Sequence, residues 1–364
     1  MAVRIYTPSR RTFLAGTGAA FAAGAAASVF PTRARAQRSL KVGVYGGYFQ
    51  DSFDEHIFPD FTRDTGIEIE SVSVPTGEAW LVQLQNAARA GQAPADVSMM
   101  ANTPRLKGVN AELFAGLNPE NLPNTQYLFP HFVNEYDDGT VSGVGALSWY
   151  ITLVSNTDVY PDAPESWADM WNEEHRDRLG LLALETNSFL LEITATAFFG
   201  GTDILQTEEG IIEVLEKLSE IRPNVQLWYR DEGQFQQALQ SGEIPMGQYY
   251  HDVATLAAAD GFPVRSTFPK EGGVLDSGSW VVSRASDRVE ESEVFINYMS
   301  DPEIQAKLAR RVGTAPTVER EHTDLTDEEF AAVSSDIEPI IPAYDMYMER
   351  GDWLSDRWTS MITG

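Results

Sequence analysis

The sequence predicts an α/β protein made of two units joined by more than one crossing strand. Its 364 residues exceed the roughly 250 at which a single hydrophobic core stops growing, so two lobes are expected. Between Leu40 and Met100, period-two and helical periodicities follow one another as strand, helix, strand, helix, strand. That order calls for crossovers, and therefore for a parallel sheet covered by helices. A second run of such signals begins after the Gly-rich strand Val141–Ser155 and closes at Phe268–Gly273.

Taken in order, Leu40–Tyr45 (LKVGVY) alternates polar and apolar residues, and Gly46-Gly47 ends the strand. Phe53, Ile57, Phe58 and Phe61 recur at helical spacing, which predicts one helix from Asp51 to Thr65 with Gly66 as its stop. Ile67–Val74 (IEIESVSV) alternates again, Glu78–Ala90 places Trp80, Leu81 and Leu84 on one side of a helix, and Ala95–Met100 reads as a third strand. The second unit holds a Trp-rich segment around Trp167 and Trp171 and helices near Glu208–Ile221 and Gln234–Ser241. Beyond it, Ser300-Asp301-Pro302 opens a helix running to Arg311, with Asp as N-cap and Pro in the first turn. There is no internal repeat.

The composition narrows the function. With 26 basic and 54 acidic side chains the formal charge is −28. That excludes a nucleic-acid binder held by phosphate contacts and a binder of anionic lipid. The absence of cysteine excludes disulfides, thiol catalysis and cysteine-ligated zinc or iron–sulfur centres. Residues 1–36 read as an export signal: Ser9-Arg10-Arg11-Thr12-Phe13-Leu14 precedes an Ala/Gly-rich apolar run, and Ala34-Arg35-Ala36 has the form a signal peptidase reads. The arginine pair resembles a twin-arginine signal, with Ala15 where lysine is common. The apolar run from Leu14 to Phe30 is 17 residues and rich in Ala and Gly, short of the ~20 strongly apolar residues of a spanning helix. Cleavage after Ala36 takes five arginines from the 26 basic residues and no acids, leaving 21 against 54 and a net charge of −33. The excess acid either steers cationic ligands or serves solubility.

Several stretches then resemble the periplasmic substrate-binding proteins of ABC importers, of the spermidine/putrescine-binding type. Phe58-Pro59-Asp60-Phe61-Thr62-Arg63-Asp64-Thr65-Gly66-Ile67 is similar to that family's first helix and its "F-E-x-x-T-G-I" exit, and Ala95-Asp96-Val97 to its "x-A-D-V" strand. Asn156-Thr157-Asp158 with Ser166-Trp167-Ala168-Asp169-Met170-Trp171 resembles "Y-N-T…S-W-A-D-L-W", with Ser155 replacing the tyrosine. Phe268–Gly273 resembles "P-K-E-G-G", and Phe295-Ile296-Asn297-Tyr298-Met299 with Asp301-Pro302-Glu303 resembles "F-I-N-Y-x-x-x-P-E". The matches lie in order across nearly the whole chain after the signal.

The resemblance implies a two-lobed periplasmic binding protein of type II, with a mixed, mostly parallel sheet in each lobe and a cleft between them. Residues 37–145 form the first part of lobe 1, 146–270 lobe 2, and 271–364 the return to lobe 1 and the C-terminal helices, with crossings near 142–155 and 268–280. It implies a solute receptor, not an enzyme. The receptor works without cofactor or metal as a monomer: it closes on a small cationic or zwitterionic amine and delivers it to a membrane permease, with no membrane insertion of its own.

In the polyamine binders carboxylates pair with ammonium groups and aromatic rings pack along the methylenes, as a buried cation requires. By resemblance, Tyr45 and Tyr48 flank the glycine pair where the family places aromatic and small polar residues. Such loops after parallel strands are where these folds bind ligands. Met246–Val253 resembles the strand end "G-W-x-G-[D/S]-x"; registered on Asp252, Tyr249 takes the tryptophan's place as a ring platform and Asp252 is the counter-charge or, in the alternative, a helix cap. The family's acid five residues after "P-K-E-G-G" falls on Gly278. Asp276, two residues earlier, shares its strand face, shifted by about 6–7 Å. The other cleft acid falls near Leu190, with Glu185 and Glu192 as substitutes, and Ala101-Asn102-Thr103 stands where Ser and Tyr are usual. Trp149, Trp228 and Trp280 line the cleft or the core, and Trp353 and Trp358 pack the C-terminal stretch.

Two readings from other classes stay open. Tyr249-Tyr250-His251 matches the phenolate, carboxylate and imidazole donors of a ferric-ion binder of the same architecture, although neighbours on a strand point oppositely unless the backbone turns. An exported hydrolase has no local support: no H-E-x-x-H, G-x-S-x-G or P-loop occurs, and the five histidines are scattered. A glycosidase needs no local motif.

Overall fold

The computed structural model describes residues 38–75 and 78–364, with Tyr48 and Glu78 by backbone only. The expected export signal at residues 1–36 lies outside the described residues. Ten strands form one mixed sheet: β1 (Ser39–Tyr45), β2 (Glu68–Val74), β3 (Val97–Ala101), β4 (Val133–Glu135), β5 (Val141–Asn156), β6 (Leu179–Leu182), β7 (Val225–Tyr229), β8 (Met246–Tyr250), β9 (Val264–Thr267) and β10 (Val274–Val282). The order is β2-β1-β3-β10-β5-β8-β6-β7, with β4 and β9 paired to β5. Two parallel sets, β2-β1-β3 and β8-β6-β7, flank two strands that run antiparallel to their neighbours, β10 and β5.

Those two strands join the lobes. Along the 16 residues of β5, Val141, Val144, Ala146, Leu147 and Tyr150 belong to one hydrophobic core, and Ile151 and Leu153 to the second. On β10, Trp280 and Val282 sit in the first core and Val274 in the second. Trp280 is completely buried, with Phe53 and Phe295 edge-on at 6.0 and 5.1 Å. Truncating such a residue to Ala costs about 3–5 kcal/mol.

One sequence expectation is corrected. The single helix over 51–65 is two, Tyr48–His56 and Phe58–Thr65, broken at Ile57. Pro59 has no N–H to continue the first helix, and a proline suits the first turn of a new one. Gly66 ends the second with φ 71°, a left-handed conformation that favours glycine. The capping signature at 301–302 is as read: the Asp301 side chain accepts from the Glu303 N–H, and the helix spans Pro302–Val312.

The C-terminal helix Tyr344–Thr363 packs into the second core through Met346, Tyr347, Leu354 and Trp358. Trp358 donates to the Ala183 carbonyl at 2.9 Å. The helix is fastened by Glu192, which is 0% exposed: its two carboxylate oxygens accept from the Ala343 N–H and the Tyr347 hydroxyl, both at 2.9 Å. Among the described residues no helix is long and apolar enough to cross a membrane.

Candidate functional site

A cavity of about 460 Å³ opens where the ends of β1, β3 and β8 meet the middle of β5 and β10. Strand parity decides what faces it. Trp149 on β5 and Asp276 on β10 are cross-strand partners and both line the cavity, while their neighbours Tyr150 and Leu275 point to the other face. Asp276 thus lies on the cavity face of β10.

Asp276 is 8% exposed and held in place: its Oδ1 accepts from the Tyr344 hydroxyl at 2.5 Å and from the Ser277 N–H at 2.7 Å. Burial pushes its carboxyl up to about 6, against the pull of those hydrogen bonds. Asn102 supports the same strand, donating to the Ser277 carbonyl at 3.2 Å and its hydroxyl at 3.0 Å.

Asp252 lies across the cavity in the first turn of the helix His251–Ala259. The cap position of that helix is Tyr250, with no side-chain capping bond, so Asp252 is not the cap. Its Oδ1 is buried without a hydrogen-bond partner. Burial, with the Glu232 carboxylate a lesser cause, raises its carboxyl to about 6. Asp252 lines the cavity as a residue, and its buried, unpartnered oxygen is an unmet demand for a proton or a cation.

Tyr45 lines the cavity at the end of β1, its hydroxyl pushed up by burial and by the Asp276 charge. The side chain of Tyr48 lies outside the described residues. Tyr249, expected as the ring platform, does not line the cavity. It is buried in the core beside Tyr229 and Phe235, and its hydroxyl donates to the Glu232 carbonyl at 3.2 Å. Strand parity turns Tyr250 to the cavity instead, where its hydroxyl donates to Glu232 Oε1 at 3.0 Å. Both hydroxyls end on Glu232, Tyr249 on its carbonyl and Tyr250 on its carboxylate, but only Tyr250 lines the cavity. Burial raises both hydroxyls, which opposes the phenolate a ferric ion needs. His251 is turned away to Ser266, 2.8 Å from its hydroxyl.

Of the substitutes for the remaining family acid, Glu192 is the fastener described above and Glu185 is not in the cavity lining. Glu232, Tyr344, Phe189 and Phe49 were not singled out from sequence, yet all four line the cavity. Phe189 does so from a left-handed backbone, φ 51°, an unusual cost for a bulky residue. Trp149 completes the aromatic wall; Trp228 and Trp280 pack elsewhere. Among the described residues the lining holds three carboxylates and no Lys, Arg or His. Buried Arg105, outside the lining, donates to the side-chain carbonyl of Asn102 at 3.4 Å.

Residues 56–331 match the family described as bacterial extracellular solute-binding protein. The chain is 25% identical over 293 residues to the gamma-aminobutyric acid-binding protein of Pseudomonas aeruginosa, covering 79% of each. It is 28% identical over 292 residues to the spermidine/putrescine-binding periplasmic protein 1 of Haemophilus influenzae, covering 77% of this chain and 76% of that one. Its fold is shared with an ABC transporter substrate-binding protein from Bradyrhizobium japonicum, at TM-score 0.76 and 22% identity over 89% of this chain and 99% of the other.

Proposed function

The chain belongs to the bacterial extracellular solute-binding protein family, and from that premise we propose that it is the periplasmic receptor of an ABC importer for a small cationic or zwitterionic amine of polyamine type. The observation that carries this reading is the charge of the cavity. Glu232, Asp252 and Asp276 face it with no cationic side chain among the described lining residues, and Asp252 Oδ1 lacks a partner. An ammonium group supplies both the counter-charge and the hydrogen bonds that these carboxylates need. Tyr45, Phe49, Trp149, Phe189, Tyr250 and Tyr344 offer ring surface for the methylenes.

In this reading Asp252 and Asp276 hold ammonium groups and Tyr45 and Trp149 pack along the chain between them. Closure about β5 and β10 buries the solute, and the closed form is what the permease recognises. The receptor acts as a monomer, reaches the periplasm by the signal at 1–36, of twin-arginine type and cleaved after Ala36, and performs no chemistry. The relatives named for spermidine/putrescine and for gamma-aminobutyric acid bracket the ligand class.

The test is a thermal-shift panel on protein freed of carried-over solute by unfolding and refolding. It holds putrescine, spermidine, 4-aminobutyrate, basic amino acids, betaines and ferric citrate. A ligand at a hundred times its Kd stabilises by about 2.7 kcal/mol, a shift of several degrees. Stabilisation by amines supports the reading. Silence across all amines, or a shift with ferric citrate alone, overturns it.

A further inference from the structure

The two crossing strands have a second face. Tyr150 and Leu275, the cross-strand pair next to Trp149 and Asp276, help line a separate groove of about 830 Å³ on the opposite side of the sheet. The volume falls within the ~300–1,000 Å³ of small-molecule sites. The remaining walls come from Phe129, from His131, whose imidazole burial disfavours charging, and from the segment between Pro316 and Ile341, with Val318, Leu325 and Phe330 inside. At its edge Ile337 and Ile341 stay 38% and 39% exposed.

The mouth of the groove is acidic. Glu319, Glu321, Asp327, Asp336 and Glu338 stand against Arg320 as the one cation in the lining among the described residues. Arg320 is already engaged: it donates to Asp336 at 2.7 Å and to Asp327, and its guanidinium lies 4.4 Å over the Phe330 ring. Glu319 and Glu321 bring carboxylate oxygens within 4.8 Å of one another. Their recorded ion pairs are to His322, at 3.8 and 3.9 Å. An apolar floor below paired carboxylates repels an anion and gives an uncharged apolar molecule nothing at the rim. A molecule with an apolar body and one ammonium group satisfies both parts.

We propose that this groove, on the back of the crossing strands, is a second binding site that takes a small organic cation with an apolar body and is separate from the interlobe cavity. It stands whether or not the cavity binds amines.

The probe is phenethylammonium, titrated by calorimetry and by ligand-observed NMR in EDTA-containing buffer. The protein is the full chain carrying Asp252→Asn and Asp276→Asn, so that the interlobe cavity does not contribute. Saturable one-to-one binding is expected, weakened at least about tenfold by adding Thr323→Trp, which puts an indole into the groove from a partly exposed lining position. Glu319→Gln with Glu321→Gln, both at the exposed rim, should also weaken it. The anion 3-phenylpropionate, with nearly the same body, should bind at least about tenfold more weakly. Absence of saturable binding, indifference to Thr323→Trp in protein that melts normally, or equal binding of 3-phenylpropionate overturns the proposal.

Discussion

Asp252→Asn should move stability and affinity in opposite directions. In the ligand-free protein burial raises the Asp252 carboxyl from 3.8 to about 6. The folded state therefore holds the proton more tightly than the unfolded chain does. The group's stabilising contribution is present below about pH 4 and is lost as pH rises to about 6. At about 1.36 kcal/mol per unit the full shift sets a ceiling of about 3 kcal/mol, which the residue's partial exposure reduces to about 1–2 kcal/mol. Asparagine never ionises, so above pH 6 the variant should be the more stable by that amount. With about 2.1 cal/mol/K of unfolding entropy per residue over a chain of this size, the melting point rises by about 1–3 °C. The gain should vanish near pH 4, where both side chains are neutral. Binding runs the other way. Loss of a charge-assisted hydrogen bond of about 1.5–3 kcal/mol weakens amine affinity by roughly 10- to 150-fold. Calorimetry at pH 7.5 and melting curves at pH 4 and 7.5 read both effects. An unchanged affinity, or a variant that melts lower at pH 7.5, would refute the reasoning.

Three further outcomes follow from the same geometry. Tyr344→Phe removes the hydroxyl that donates to Asp276 at 2.5 Å; it should cost about 1–3 kcal/mol of stability and raise the pH at which amine binding is half lost, read from a pH titration of affinity. Glu192→Ala strands the Ala343 N–H and the buried Tyr347 hydroxyl. It should cost about 2–5 kcal/mol and speed amide exchange across residues 343–347 more than in β1, whereas equal exchange would remove its role as fastener. Tyr249→Phe should cost about 1 kcal/mol of stability with little change in affinity, because its hydroxyl meets a carbonyl in the core. Tyr250→Phe should alter amine affinity, because the lost hydroxyl donates to Glu232, one of the carboxylates in the cavity lining; the reverse pattern would return Tyr249 to the site.

The fold was legible where periodicity alone decides. The segments of β1 and β2 alternate in sequence, and the strand–helix order leaves parallel pairing as the solution for β2-β1-β3. The break at Ile57 was hidden because the apolar spacing continues across it, and the backbone chemistry of Pro59 overrides the pattern. Within the site, parity along one strand worked for Asp276, where the family's register fixed the inward face. For Tyr249 the expectation also came from the family's register, taken on Asp252, and there it is the neighbouring Tyr250 that lines the cavity. Tyr344 meets Asp276 across 68 residues of sequence, and Glu232 meets Tyr250 through the placement of a separate helix. No local signal marks either, since each is assembled only by tertiary packing.

The central claim is that an ammonium ligand pairs with Asp252 and Asp276, two carboxyls raised to about 6 in the empty protein. Pairing with a cation favours the charged form, so binding must expel protons from both groups. The measurement is calorimetric titration of putrescine or spermidine at pH 5.5 and pH 8 in two buffers of different ionisation enthalpy, which counts the protons exchanged. The account predicts release of about one to one and a half protons per ligand at pH 5.5 and almost none at pH 8. Binding without proton release at pH 5.5, or with proton uptake, would contradict it.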